Sequence, residues 1–320
     1  MIDDEHDDPI KRGNPAPRLP TRAGPGLAAF DVSTADGATL KAGRSGAGPT
    51  IVLISGLGGT AGFWTPVVAG LSQAYEVISF DQRGIGASSR GSAATTIGQL
   101  ADDVLAVFDA ADIESAMIVG HSTGGCIAQT LAAKAPDRVR KLCLSATWLR
   151  PSRYMTALFE TRLRLLEQDP VAYTATATLI SFAPAWLEEN WSAYERAVAK
   201  APRTEAERTV VAERIAALLA FDGSGSLPAI SMPVSIIGAE DDMIVPAFLQ
   251  RALSEALPAA TLTLLPQGGH FFPVSRTEAF LAHLAGWAAS RSDPQDALTG
   301  VGCGGQRPAD QPSEISRVRR

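Results

Sequence analysis

Gly120-His121-Ser122-Thr123-Gly124 follows directly on the apolar run Ala116-Met117-Ile118-Val119 and precedes a helix-compatible stretch from Gly125 to Ala135. A strand that ends at a glycine-flanked serine and turns at once into a helix leaves few folds open. In such a G-x-S-x-G turn the serine is forced into a tight backbone conformation, and the glycines let neighbouring chain pass where a Cβ would clash. The hydroxyl then stands at the end of a sheet. In a chain of 320 residues the pentapeptide alone is weak, and its flanking strand and helix make it strong.

Five other short apolar runs bracket this element: Ile51-Val52-Leu53-Ile54, Val77-Ile78-Ser79-Phe80, Leu142-Cys143-Leu144, Val234-Ser235-Ile236-Ile237 and Leu262-Thr263-Leu264-Leu265. Near-continuous runs of this kind suit strands covered on both faces, as in a parallel sheet. Between the second run and the serine turn, Ile97, Leu100, Val104, Val107 and Phe108 fall at helical spacing, with Thr95 or Thr96 placed to cap the start. Strand and helix alternate, so the expected fold is α/β, a doubly wound and mostly parallel sheet.

The alternation breaks over residues 150–228, a strand-poor stretch with Tyr154, Phe159, Tyr173, Phe182, Trp186, Trp191, Tyr194 and Phe221. It reads as a helical insertion lying over the C-terminal edge of the sheet, between core segments 27–149 and 229–289. Residues 1–26, with five prolines among charges, and residues 290–320, which lose all periodicity, are expected to be disordered arms.

An apolar fraction of 46% with 19% charged residues excludes wholesale disorder. Net charge is −6 with no long basic cluster, so nucleic acid is not an expected partner. No stretch approaches the roughly 20 apolar residues that cross a bilayer, and the acidic start is unlike a secretory signal, which makes the cytoplasm the expected address. Cys126, Cys143 and Cys303 have no C-x-x-C spacing and suggest neither a disulfide framework nor a zinc site. The first two read as buried packing residues. A small-molecule substrate, no metal or other cofactor, and a monomer or homodimer are the expectations that remain.

A serine hydroxyl is a poor nucleophile near neutral pH and needs a base within hydrogen-bond reach, itself oriented by a carboxylate. Of four histidines, His6 lies in the acidic arm, His121 is locked beside the serine and His283 belongs to a helix pattern. His270 remains, in Gln267-Gly268-Gly269-His270-Phe271 just past the last strand run, where glycines leave a loop free to reach over the sheet edge. The orienting acid should follow another strand end, and Gly238-Ala239-Glu240-Asp241-Asp242 follows Val234 to Ile237. Asp241 and Asp242 compete for that place. Thr123, the residue after the serine, supplies one backbone N–H to an oxyanion hole.

With these residues in order the chain resembles the α/β-hydrolase family over about residues 27 to 288. That family's acid loop reads D-x-x-V/T-P, which Asp242 fits and Asp241 does not. Ser55-Gly56-Leu57-Gly58-Gly59 stands where the family has H-G-x-x-G, which implies Leu57 as the second oxyanion donor. Asp81-Gln82-Arg83-Gly84-Ile85-Gly86-Ala87-Ser88 matches D-x-R-G-x-G-x-S, a turn read as structural, with Asp81 bracing it. Trp148-Leu149-Arg150, Ala183-Pro184-Ala185-Trp186 and Asp81-Gln82-Arg83 look most like the aminoacrylate hydrolases of pyrimidine catabolism. The chain is also similar to 3-oxoadipate enol-lactonases and to amide hydrolases of ring degradation. The resemblance implies a small, carboxylate-bearing substrate held among Gly56, Trp148, Arg150, Trp186 and Phe271, with Arg153, Arg162 and Arg164 as further candidate anchors. It also keeps open enol-lactone, ester or C–C bond hydrolysis, and a catalytically idle fold that only binds a ligand. Idle members usually lose one of the Ser, His and Asp residues, and none is missing here.

Overall fold

The computed structural model describes residues 28–290. The expected arms, with His6 and Cys303, lie outside the described residues apart from Ser290. The six apolar runs form six parallel strands: β3 Thr50–Ile54, β4 Glu76–Phe80, β5 Ala116–His121, β6 Val139–Ser145, β7 Val234–Ala239 and β8 Thr261–Leu265. Two earlier strands, β1 Ala28–Ser33 and β2 Thr39–Ser45, pair antiparallel at one edge, giving the order β1-β2-β4-β3-β5-β6-β7-β8. Sequence reading passed over these two. In β1 only Val32 is buried, so the strand carries no continuous apolar run.

Alternate residues of the central strands feed two cores. On one face Ile51, Leu53, Val77, Val119 and Ile237 pack with Leu71 of α1 (Thr65–Leu71). The other face buries Val52, Ile54, Ile118, Leu142 and Ile236 against α2 (Ile97–Ala110) and α3 (Thr123–Lys134). Helix α2 starts where its cap was expected, with Thr96 accepting from the Gln99 amide. Cys126 and Cys143 are free and buried, and burial raises the pKa of both thiols.

Five helices fill the span between β6 and β7: α4 Arg153–Gln168, α5 Pro170–Ser181, α6 Pro184–Glu189, α7 Trp191–Ala199 and α8 Glu205–Leu219. Local chemistry marks their starts. Ser152 caps α4, Asp169 caps α5 through two backbone amides, and Thr204 with Glu207 forms a reciprocal capping box on α8. Helices α9 (Ala247–Ala256), α10 (Phe272–Ser275) and α11 (Thr277–Ala289) complete the chain, and α11 buries Phe280, Leu284 and Trp287 in the α1 core. Among the described residues no helix is long and apolar enough to cross a membrane.

The D-x-R-G turn after β4 is a structural knot. Arg83 is fully buried and reaches Asp103 at 2.5 and 2.7 Å and Asp36 at 2.8 and 3.2 Å. Hydrogen bonds from Arg83, Thr34 and the Ala93 amide hold the Asp36 carboxyl well below its usual range. Asp81 braces the same turn, accepting from the Ala61 and Ala87 amides. Removing the cation would leave the buried Asp103 charge uncompensated. Arg83→Met is therefore expected to cost about 3–5 kcal/mol of stability in urea unfolding, with turnover per folded molecule kept; a loss under about 1 kcal/mol would contradict this reading.

Candidate active site

Strand β5 runs between β3 and β6, and its last residue is paired with Ser145. The Ser122 amide then bonds the Ser145 carbonyl at 2.8 Å, and the chain reverses into α3. This requires φ 55° and ψ −124° at Ser122, a conformation that a non-glycine residue holds only when its surroundings enforce it. The glycines do the enforcing through close approach. A Cβ on Gly120 would lie 2.3 Å from the Gly124 carbonyl oxygen, and one on Gly124 would lie 2.2 Å from that of Ile54. Thr123 opens α3, so its N–H has no partner within the helix and sits at the positive end of the helix dipole.

The structure brings His270 and Asp242 together. His270 Nδ1 is 2.7 Å from Asp242 Oδ2, while Asp242 Oδ1 accepts from the Ile244 and Val245 amides, each at 2.8 Å. The neighbouring Asp241 turns elsewhere, accepting from the Gly268 and Gly269 amides at 3.1 and 2.9 Å. The alternative placing of Asp241 on the imidazole is thus corrected: Asp241 holds the loop, and Asp242 holds the ring. Gly269 has φ 65°, and a Cβ there would meet the Ser181 carbonyl oxygen at 2.7 Å, so the loop depends on its glycine.

His121 stacks on Phe63 with centroids 5.0 Å apart and lies 4.9 Å from the His270 ring. Burial lowers its pKa well below the ordinary value and the nearby His270 adds to this, so His121 stays neutral beside it. Its Nδ1 is 3.0 Å from Ser145 Oγ.

Ser122 and His270 line one cavity of about 600 Å3. Gly56, Leu57 and Phe271 line it too. Gly56 lies hard against the serine, since a Cβ there would be 2.9 Å from Ser122 Cβ and 3.4 Å from Oγ. Three expected pocket residues do not line it. Trp148 is fully buried in the core beneath the insertion, Arg150 is exposed, and Trp186 stands behind the wall, stacked on Phe182, which meets Phe271 edge-on. Trp148 and Arg150 lie in the connection between β6 and α4, and the residues of the inserted span that line the cavity come from further along it, from Phe159 onward.

Two arginines supply what was missing or left open. Arg162 of α4 lines the cavity at 8% exposure, its guanidinium stacked between Phe159 and Tyr173 at 5.0 and 4.9 Å. Arg214 of α8, unmentioned by any motif, is 1% exposed and donates to the carbonyls of Gly56 and Leu57. Each occupies a slot in an otherwise apolar stripe: Met155, Phe159, Arg162, Leu166 in one helix, and Val211, Arg214, Ile215, Leu218 in the other. A charge inside a stripe that faces the core is the signal that could have found both.

Residues 49–277 match the alpha/beta hydrolase fold, and the chain belongs to that family. Among curated relatives, the provisionally named carbamate hydrolase RutD of Azorhizobium caulinodans is 36% identical over 247 residues, spanning 76% of this chain and 92% of the relative. Among solved structures, a hydrolase from Pseudomonas aeruginosa PA01 superposes with a TM-score of 0.73 at 28% identity, covering 82% of this chain and 98% of the other. The enol-lactonase of Burkholderia xenovorans LB400 superposes with a TM-score of 0.71 at 26% identity, covering 79% and 97%.

Proposed function

We propose that this hydrolase cleaves a small carboxylate-bearing substrate with a Ser122, His270, Asp242 triad, a reading that calls on no cofactor. Residues 150–228 act as a helical cap over a core formed by 27–149 and 229–289. Ser122 Oγ adds to the substrate carbonyl carbon as its proton passes to His270 Nε2, and the carbonyl oxygen becomes an oxyanion held by the Leu57 and Thr123 amides. Collapse expels the leaving group, which takes the proton from His270. Water then adds to the acyl carbon, giving up a proton to His270, and the acid departs as Ser122 Oγ is reprotonated. Asp242 keeps the proton of the resting imidazole on Nδ1, so that Nε2 is free to accept.

The observation that carries the chemistry is the Asp242-oriented His270 sharing a cavity with the strained Ser122. The substrate class rests on Arg162. Its Nε is buried without a partner, its single hydrogen bond is from Nη2 to the Tyr173 hydroxyl at 3.1 Å, and no carboxylate among the described residues pairs with it. A desolvated guanidinium facing a cavity calls for an anion from the ligand. Of the four candidate arginines, 153, 150 and 164 are exposed. The likeness to relatives named for carbamate hydrolysis favours a C–N bond, and the likeness to an enol-lactonase favours a cyclic ester. A panel of short carbamates, enamines, enol-lactones and esters, each with and without a carboxylate, separates the two. Arg162→Met is expected to raise KM for carboxylate-bearing substrates by roughly 10- to 100-fold, the worth of one charge-assisted contact, and to leave neutral esters unchanged. Equal effects on both sets would remove the anion from the reading.

A further inference from the structure

Arg214 belongs to the insertion, yet its side chain ends on the loop after β3. Its Nε donates to the Leu57 carbonyl at 2.8 Å, and Nη2 donates to the Gly56 carbonyl at 3.2 Å and to Gln82 Oε1 at 2.5 Å. Gln82 Nε2 in turn donates to the Ser55 carbonyl at 2.7 Å. Three successive carbonyls of one loop are thereby tied, directly or through one amide, to a single buried cation. No carboxylate among the described residues forms an ion pair with it, and burial lowers its pKa to about 10, with Asp103 and Tyr173 pulling the other way. A Cβ on Gly59 would lie 3.1 Å from Nη2, so the loop is folded closely around the guanidinium.

The geometry of the peptide unit gives this clamp a direction. The Gly56 carbonyl and the Leu57 N–H belong to one planar trans unit and point to opposite edges of it. With the carbonyl edge held by Arg214 and by the Gly59 amide at 3.0 Å, the Leu57 N–H is turned away from the guanidinium. Gly56 at the same time packs against Ser122, and Leu57 lines the cavity. A cation at the carbonyl end also polarises the peptide, strengthening its N–H as a donor, and a buried charge acts at low dielectric.

We propose that Arg214 is a positioning residue for the oxyanion hole: a charge delivered by the insertion that fixes and polarises the Gly56–Leu57 peptide, so that the Leu57 amide meets the negative charge formed during hydrolysis. On α8, Arg214 is the residue whose side chain is hydrogen-bonded to these carbonyls. Its neighbour Glu213 anchors the helix separately, through Arg90 at 2.6 and 3.0 Å and Thr95 at 3.0 Å. The effect belongs to the transition state, where the oxyanion exists, and not to the ground state.

The inference rests on the serine-hydrolase reading, and the test keeps the two apart. Wild type, Arg214→Met and Arg214→Lys are titrated with a fluorophosphonate to count active serines, then assayed with a neutral p-nitrophenyl ester and with phenylboronic acid, whose serine adduct carries the tetrahedral negative charge. Arg214→Met is expected to lose about 100-fold or more in kcat per titrated site and a similar factor in boronic acid affinity, with KM within about threefold. Arg214→Lys keeps the charge without the planar fork and is expected to recover part of the loss, which also covers the case in which the methionine variant does not fold. A purely structural role would lower the number of titrated sites and leave kcat per site and boronic acid affinity intact; that result for either folded variant overturns the proposal. Wild-type protein that does not titrate overturns the serine reading, and this one with it.

Discussion

Ser122→Ala is expected to lower kcat by roughly 10⁴- to 10⁶-fold on any substrate turned over through an acyl enzyme, the range seen when a triad nucleophile is removed. Stability should stay within about 1 kcal/mol, because the hydroxyl caps nothing and the backbone demand at position 122 is the same for alanine. Steady-state assay together with thermal unfolding checks both halves. A variant that unfolds several kilocalories earlier would mean the hydroxyl has a packing role. A folded variant that keeps turnover on an enamine or carbamate would mean that His270 activates water directly on that substrate, with Ser122 as a bystander.

The second large effect separates two adjacent carboxylates. Asp242→Asn is expected to cost roughly 10⁴-fold in kcat. With the asparagine oxygen still accepting from Ile244 and Val245, its NH2 faces His270 Nδ1. The ring then carries its proton on Nε2, the atom that accepts one from the serine in the proposed mechanism. Asp241→Asn leaves the tautomer alone and weakens one of two amide contacts in the glycine loop, which should cost less than about tenfold in kcat and about 1–3 kcal/mol of stability. Kinetics and urea titration of the two variants side by side decide the matter, and the reverse order would place the wrong aspartate on the ring.

The difference between Asp241 and Asp242 was half legible in the sequence. Both follow a strand, and counting three residues on from Gly238 pointed to Asp241; the proline four positions on from Asp242 favoured the other only through the family pattern. The parallel strands were legible because burial on both faces writes an uninterrupted apolar run, as in Ile51 to Ile54. Strand β1 was not, since four of its six residues are exposed and its pairing with β2 comes from backbone hydrogen bonds that any side chain permits. Arg162 and Arg214 show a different limit. Their spacing within an apolar stripe was visible, but the partner of each is 11 residues away in one case and 157 in the other, and only the folded insertion says what an arginine in that stripe touches. Trp148 and Arg150 failed for the complementary reason: proximity in sequence to a strand end does not say which way the chain departs from it.

The wall of the cavity is shared between loops of the sheet and helices of the insertion. Substitutions along α4 and α5 that leave Arg162 in place would reshape the cavity without replacing Ser122, His270 or Asp242, which leaves room for a change in the molecules that fit. Position 214 of α8 lacks that freedom. Because it is stitched to the loop after β3, an exchange of the whole segment with a distant cousin would import a foreign fastening, and a recombinant enzyme of that kind would have to be matched at position 214 before its new cavity could be put to use.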